Sequence, residues 1–302
     1  MLKKIKLVTH AILTGNAVFV NHEVFARYGL EIELYEPEPS QWGRGPDGKP
    51  MIAPLLDGTA DYTNVLGTPI PAAVMGQGLK YLASYQNTGV ELFARPEMRN
   101  LADLSGRAVA SSSPMWQFNL ERALRGCGME PSQVRFHRGY PVGTLVQKVL
   151  DGTVDAITVL PPDTAAAIGA GLKPIFRYGD VSPVPVYALM ATDKKLREDP
   201  QEARQLLRAL SESVDEFLRD RPRGIELVGR LGTPAELAGP AYDLTRGYMT
   251  PVGEIPEEVQ REWLANAKKL AGVQEEKEID LSRVFDFSVL RSIEERHVRH
   301  GV

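Results

Sequence analysis

The pattern Leu-Asp-Gly-Thr-x-Asp occurs twice in this chain of 302 residues, at 56–61 and again at 150–155. In each copy an apolar segment with helical spacing comes before the pattern, and an apolar segment typical of a strand follows it. The glycine stands where helices commonly end, and the second aspartate stands near the start of the strand. A helix that returns the chain to a new strand is the connection that parallel strands require. The repeat therefore predicts two similar α/β modules, each with a sheet of its own.

The same alternation runs through most of the chain. Strands are predicted at 4–10, 30–36, 60–67, 79–86, 91–97, 107–114, 133–139 and 154–162, with two more within 173–191. Helices are predicted between them at 16–30, 51–58, 68–78, 100–106, 115–128, 141–152 and 163–171. From Asp193 onward the chain is predicted to be mostly helical.

Charge and composition exclude several classes of protein. The formal net charge is −4 and the basic residues are scattered, so the chain lacks the basic surface that binds nucleic acid. A single cysteine, Cys127, excludes an intramolecular disulfide and a thiolate metal cluster. No apolar run approaches the length of a membrane span. We expect no nucleic-acid partner, no bound metal and no cofactor.

Four stretches carry a resemblance to a known family. They are GNAVFVNHEVFARYGLEIEL at 15–34, MIAPLLDGTADYTNVLGTPIPAAVMGQG at 51–78, NLADLSGRAVASSSP at 100–114 and VQKVLDGTVDAITVLPP at 146–162. In order and spacing they resemble the type II periplasmic binding proteins of ABC transporters, in the branch that binds nitrate, sulfonates, taurine and thiamine precursors. The resemblance covers the chain from about Lys3 to Met190 and is weak in the helical tail.

The resemblance implies an α/β, two-lobed type II periplasmic binding protein fold. Each lobe is expected to be a mixed, mostly parallel sheet flanked by helices, with a helical C-terminal tail. Lobe 1 would comprise residues 1–89 and 188–302, and lobe 2 residues 90–187, with a ligand cleft between them. Such folds bind ligands at the carboxyl ends of strands and the amino ends of helices, where free N–H groups favour anions.

Candidate ligand contacts follow from those positions in lobe 1. They are His10, Thr14, Gly15, Asn16, Gly67, Thr68, Gln86 and Asn87, with Tyr187 as a wall at the second crossing. Thr14 and Asn16 have an alternative role as helix caps, and His10 has one as a core residue. The loop at 37–50 contains the letters G-x-G-x-x-G, but its prolines oppose the strand and helix that a nucleotide-binding loop needs. It is interpreted either as a loop that presents Trp42 to the cleft or as a plain exposed turn.

The corresponding candidates in lobe 2 follow its strands. They are Ser111, Ser112, Ser113, Trp116, Arg138, Tyr140, Pro161 and Asp163. Three successive hydroxyls before a helix form a cradle for an anion, whereas capping alone would need one. The Arg138 guanidinium is suited to a carboxylate or sulfonate, with a solvated surface charge as the alternative. No histidine has a second ligand at a spacing typical of a metal site.

Two functions are compatible with this pattern. The first is a monomeric solute-binding protein that captures a small organic anion, such as a sulfonate, a carboxylate or a pyrimidine-type thiamine precursor, for an ABC-transporter permease. The alternative is a cytoplasmic enzyme on the same fold: a decarboxylase, desulfinase or lyase of a small aromatic acid. The segment 1–15 lacks the apolar core of a signal peptide, so we expect either a cytoplasmic protein or an extracytoplasmic one whose export signal is not part of this sequence.

Overall fold

The structure, a computed structural model, describes residues 1–9, 14–36, 53–65, 78–86, 89–111, 114–137, 143–159, 163–181, 187–271, 278 and 280–293. The whole loop at 37–50 and the predicted helix at 68–78, except for Gly78, therefore lie outside the described residues. No helix in the described part of the chain is both long and apolar enough to cross a membrane.

The strands among these residues are numbered in chain order. They are β1 (Lys3–Val8), β2 (Leu30–Tyr35), β3 (Tyr62–Val65), β4 (Leu79–Gln86), β5 (Glu91–Ala94), β6 (Ala108–Ala110), β7 (Arg135–His137), β8 (Ala156–Val159), β9 (Lys173–Arg177), β10 (Tyr187–Thr192) and β11 (Met249–Gly253).

The α-helices are numbered in the same way. They are α1 (His22–Arg27), α2 (Ala53–Leu56), α3 (Pro114–Gly126), α4 (Leu145–Leu150), α5 (Asp163–Gly169), α6 (Asp193–Glu198), α7 (Pro200–Arg219), α8 (Arg221–Arg230), α9 (Ala235–Tyr248) and α10 (Glu257–Ala271). Short 3-10 helices span Thr14–Val20, Leu101–Leu104, Pro131–Gln133, Tyr178–Asp180 and Leu281–Arg283.

The strands form two separate sheets. The first has the order β11-β4-β10-β3-β1-β2, and the second has the order β7-β6-β8-β5-β9. In the first sheet β1, β2 and β3 are parallel, while β10 is antiparallel to both β3 and β4, so β4 points the same way as β1. In the second sheet β5 alone opposes the others. Each sheet is thus mixed and mostly parallel, and this prediction is confirmed.

The chain passes between the sheets twice. It leaves the first sheet at the end of β4 and enters the second at β5, and it returns from β9 to β10. The later helices pack around the first sheet, with α7 against β11 and the 3-10 helix Thr14–Val20, and α8 against α9. The division into lobes at residues 89–90 and 187–188 stays a prediction.

The repeated pattern has the same local structure in both modules. Its glycine has a positive φ, +79° in the first copy and +82° in the second, which is a conformation that favours glycine. The first aspartate closes the turn: Oδ1 of Asp57 accepts from the backbone N of Thr59 at 2.8 Å, and Oδ1 of Asp151 accepts from that of Thr153 at 2.9 Å. The glycine and the aspartate together end the helix and redirect the chain toward the next strand.

The predicted helix at 16–30 is divided in the structure. A 3-10 helix ends at Val20, and α1 begins at His22. Between them Asn21 has φ −80° and ψ 64°, and its Nδ2 donates to Oε2 of Glu216 in α7 at 2.9 Å. Because Asn21 is buried, its side-chain amide needs a hydrogen-bond partner inside the protein. The bond to Glu216 in a distant helix therefore interrupts the continuous helix that the sequence pattern predicts.

Candidate functional site

The carboxyl ends of three strands meet at one edge of the first sheet. Thr9 follows β1, Asn64 lies near the end of β3, and Gln86 ends β4. The antiparallel strand β10 begins at the same edge, where Tyr187 pairs with Gln86. Because β1, β3 and β4 point the same way, their last residues gather there, as the doubly wound arrangement requires.

Buried side chains at this edge form a hydrogen-bonded network. The Thr9 hydroxyl donates to Oδ1 of Asn16 at 3.0 Å. Nδ2 of Asn64 donates to the same oxygen at 2.7 Å and to the hydroxyl of Tyr85 at 2.8 Å. All four side chains are buried and uncharged. The network therefore holds the start of the 3-10 helix firmly against the strand ends.

Gly15 lies where the backbone approaches two side chains closely. A Cβ atom on this residue would stand 2.8 Å from Oε1 of Gln86 and closer still to the ring of Tyr187. Only glycine fits this space without movement of its neighbours. The sequence candidates Gly15, Asn16, Gln86 and Tyr187 are thus brought together at one place.

Aromatic rings support this edge from within the core. Tyr85 and Tyr187 stack with their centroids 5.9 Å apart, and Phe19 meets Tyr85 edge-on at 5.9 Å. Burial raises the pKa of the Tyr85 hydroxyl well above its usual range, and the hydrogen bond from Asn64 opposes that shift. Burial also raises the pKa of Tyr187, as does the nearby Tyr85. Both hydroxyls therefore stay protonated and neutral at physiological pH.

The helical tail also reaches the site. The hydroxyls of Thr14 and Thr245 are hydrogen-bonded at 2.5 Å, and both side chains are buried. Thr245 belongs to α9, so the 3-10 helix is held by the strand edge on one side and by the tail on the other.

In the second sheet, two of the candidate residues lie in the interior. Ser111 is buried directly after β6, and its backbone N donates to the carbonyl oxygen of His137 at 3.3 Å. Trp116 is buried in α3 and meets Tyr178 edge-on, with centroids 5.5 Å apart. Its ring is part of the hydrophobic core, and a contact with ligand stays a prediction for both residues.

Asp163 is the first residue of α5 and is buried. Its Oδ2 accepts from the backbone N of Gly143 at 2.9 Å. Burial raises the pKa of this carboxyl group, and the Gly143 hydrogen bond partly offsets the effect. It borders a cavity of about 260 Å³ that is also lined by the α8–α9 connection, from Leu231 to Pro234. The direct hydrogen-bond partner of the Asp163 carboxyl group is thus the backbone amide of Gly143.

The remaining candidates lie outside the described residues and stay predictions. They are His10, Trp42, Gly67, Thr68, Asn87, Ser112, Ser113, Arg138, Tyr140 and Pro161. Among the described side chains, no group of three or more His, Cys, Asp or Glu is arranged to hold a metal ion.

Four residues of the site were missed by the sequence analysis: Thr9, Asn64, Tyr85 and Thr245. Asn64 follows Thr63 near the end of an otherwise apolar strand, and that polar pair could have identified it. Thr9 immediately precedes His10 at the end of the first predicted strand and has the same positional signal. Thr245 has no such signal in the sequence, because its position at the site depends on how the helical tail packs.

The fold is shared with binding proteins of known structure. The periplasmic aliphatic sulphonate binding protein SsuA from Escherichia coli is 21% identical, with a TM-score of 0.73 over 93% of this chain and 90% of that one. The periplasmic nitrate-binding protein NrtA from Synechocystis PCC 6803 is 17% identical, with a TM-score of 0.72 over 98% of this chain and 89% of that one. These similarities confirm the predicted type II periplasmic binding protein fold.

An enzyme has the same fold. The desulfurization enzyme DSZB is 14% identical, with a TM-score of 0.66 over 98% of this chain and 99% of that one. No protein with a curated description matches the sequence. The sequence model described as NMT1/THI5 like matches residues 20–223, which is more than half of the chain. The chain therefore belongs to the NMT1/THI5-like family.

Proposed function

We propose that this protein is a solute-binding protein that captures a small organic anion between two lobes and delivers it to the permease of an ABC transporter. The observation that carries the proposal is the convergence of buried, uncharged hydrogen-bonding groups and Gly15 at the carboxyl edge of the first sheet. Sites of this kind bind small polar molecules through a few fixed polar groups. SsuA and NrtA, which share the fold, are named for binding sulfonates and nitrate.

The proposal includes the predicted lobes, 1–89 with 188–302 and 90–187. A ligand that contacts both lobes favours the closed arrangement over the open one and so shifts the population toward it. The negative charge of the ligand is assigned to the predicted Ser111–Ser113 run and to Arg138, because helix starts and guanidinium groups stabilise oxyanions. An extracytoplasmic location and a monomeric state are part of the same proposal.

Titration calorimetry on the full chain tests this function. The panel comprises alkanesulfonates, short carboxylates and aminopyrimidines, and we expect measurable heat and saturable binding for at least one class. No binding by any class would contradict the proposal.

Two glycine variants test whether the ligand binds at the carboxyl edge of the first sheet. Gly15→Ala is expected to weaken binding at least about tenfold, or about 1.4 kcal/mol of binding free energy, because the new methyl group displaces Gln86 and Tyr187 at the site. Gly229→Ala in α8 is the matched control, since its Cβ would meet no atom within 4 Å. The control should bind like the wild type. Equal affinities for wild type and Gly15→Ala would place the ligand elsewhere.

The second candidate function is catalysis, supported by the fold shared with DSZB. A cysteine nucleophile is not favoured. Cys127 is exposed just after the end of α3, a helix of 13 residues that begins at the carboxyl edge of the second sheet, so it lies about 20 Å from that edge. His10→Ala separates the two functions: a binding protein should lose affinity modestly, whereas an enzyme that uses the imidazole as acid or base should lose turnover.

A further inference from the structure

Asn64 uses both hydrogens of its side-chain amide inside the protein. One goes to Oδ1 of Asn16 and the other to the hydroxyl of Tyr85. The Thr9 hydroxyl donates to the same Asn16 oxygen, and in this arrangement the nitrogen of Asn64 faces Asn16 and its oxygen faces away. That oxygen, Oδ1 of Asn64, is buried and has no hydrogen-bond partner among the described residues.

Gln86 presents a second oxygen of this kind. Its side chain is buried at the end of β4, and Oε1 has no hydrogen-bond partner in the described part of the chain. The oxygen lies over the backbone of Gly15, 2.8 Å from where a Cβ atom would stand. Native proteins rarely leave a buried carbonyl oxygen unpaired, so each such atom at a binding site needs an explanation.

The two oxygens belong to strands that end at the same edge of the first sheet. Strand β10 lies between β3 and β4, and its first residue, Tyr187, pairs with Gln86 on one side and with Val65, the neighbour of Asn64, on the other. Two strand spacings amount to about 10 Å between backbones. Nδ2 of Asn64 and Oε1 of Gln86 both lie against the Gly15–Asn16 segment, so the two side chains border the same part of this edge.

We propose that the ligand carries hydrogen-bond donors, as an amino or hydroxyl group, and that these donate to Oδ1 of Asn64 and Oε1 of Gln86. This inference rests on the function proposed above, and it narrows the ligands of that function to those that carry a hydrogen-bond donor. Nitrate and an unsubstituted alkanesulfonate only accept hydrogen bonds, so they would leave both oxygens unpaired. Each unpaired oxygen is expected to reduce affinity by between about fivefold and a hundredfold.

Matched ligands of equal size test the inference by calorimetry. The sulfonate series is aminoethanesulfonate, hydroxyethanesulfonate and propanesulfonate, in which an ammonium, a hydroxyl and a methyl group occupy the same position. The same comparison is repeated on two other scaffolds. One series compares butyrate with the acids of equal length in which an amino or a hydroxyl group replaces the terminal methyl group. The other compares methylpyrimidine with aminopyrimidine. On the scaffold that binds, we expect the donor-bearing members to bind at least about tenfold more tightly than the methyl member.

Two glutamine variants test whether the preference for donor-bearing ligands arises at Gln86. Gln86→Met keeps the length of the side chain and removes the acceptor, so it should reduce the preference for donors. Gln201→Met in α7 is the exposed control and should keep the wild-type preference. Equal affinities across a series are expected if trapped water satisfies both oxygens, and they would overturn the inference. Tighter binding of the methyl member would overturn it as well. Either result would leave the proposed function intact. If no scaffold binds at all, the proposed function itself fails.

Discussion

Asp163 lies where the sequence predicted it, at the start of a helix that follows a strand, and it also has a hydrogen-bond partner within the protein. The sequence places it after the strand that became β8, at the start of a helix, and the structure keeps it there. Its carboxylate accepts from the backbone N of Gly143 and borders the α8–α9 connection. Asp163 thus joins the start of α5 to the segment that precedes α4, and its contact with a ligand stays a prediction.

The stability of the protein should depend on pH through this residue. Burial raises the pKa of Asp163 above its ordinary value of 3.8, so between that value and the raised pKa the folded chain binds more protons than the unfolded chain. The free energy of unfolding therefore falls as pH rises through this window. Asp163→Asn removes the charge and keeps an oxygen that accepts from Gly143. We expect the variant to be more stable than the wild type at neutral pH.

Urea unfolding of both proteins over a pH series measures this difference. The advantage of Asp163→Asn should shrink as the pH falls from the raised pKa to 3.8, because the wild-type carboxyl group is protonated first in the folded state and, below 3.8, in both states. A stability difference that does not change with pH would contradict the assigned protonation behaviour.

At the level of elements, the second aspartate of the repeated pattern connects neighbouring strands. Oδ2 of Asp61 accepts from the backbone N of Lys6 in β1 at 2.9 Å. Oδ2 of Asp155 accepts from the backbone N of Ala108 in β6 at 2.8 Å. In both modules the strand after the pattern lies beside the module's first parallel strand. The pattern thus sets the position of one parallel strand against the next, and this explains why both halves contain it.

Removing this acceptor should destabilise the second module. Asp155→Ala leaves the N–H of Ala108 without its acceptor, and we expect a loss of about 1–3 kcal/mol in the free energy of unfolding by urea. Asp155→Asn retains an acceptor oxygen and should lose less. Glu198→Ala is the control, because that carboxylate is exposed and should change stability by less than about 0.5 kcal/mol. Equal losses for Asp155→Ala and Asp155→Asn would contradict the assigned hydrogen bond.

For the whole molecule, the tail helices touch elements that flank or form the second sheet. Nη1 of Arg122 in α3 lies 3.0 Å from Oε1 of Glu262 in α10. Tyr248 at the end of α9 is hydrogen-bonded to Glu91 in β5; burial first and the Glu91 charge second raise its pKa to about 12. The first of these contacts is partly solvent-exposed, so it contributes little energy.

A double-mutant cycle on Arg122 and Glu262 measures that contribution. Arg122→Ala, Glu262→Ala and the double variant should give a coupling energy of about 0.2–1 kcal/mol in urea unfolding. The single variants should keep the far-ultraviolet circular dichroism of the wild type. A coupling energy well above about 1 kcal/mol would contradict the weak contribution expected of this partly exposed ion pair.

The sequence by itself determined what depends on near neighbours. The alternation of helices and strands, the two modules and the turns at Gly58 and Gly152 all follow from local periodicity and backbone conformation. The positions of Thr14, Gly15, Asn16, Gln86 and Tyr187 could be predicted too, because the segment after the first strand and the two crossings between the sheets are expected at the same edge.

Only the tertiary structure decided which side chains pair across long separations. Asn16 meets Asn64 from 48 positions away, Thr14 meets Thr245 from 231, and the break at Asn21 depends on Glu216, 195 positions along the chain. The unpaired oxygens of Asn64 and Gln86 also follow from this packing, because an amide's partners depend on everything around it. Periodicity indicates where a strand ends, but the donors and acceptors that meet there depend on the complete fold.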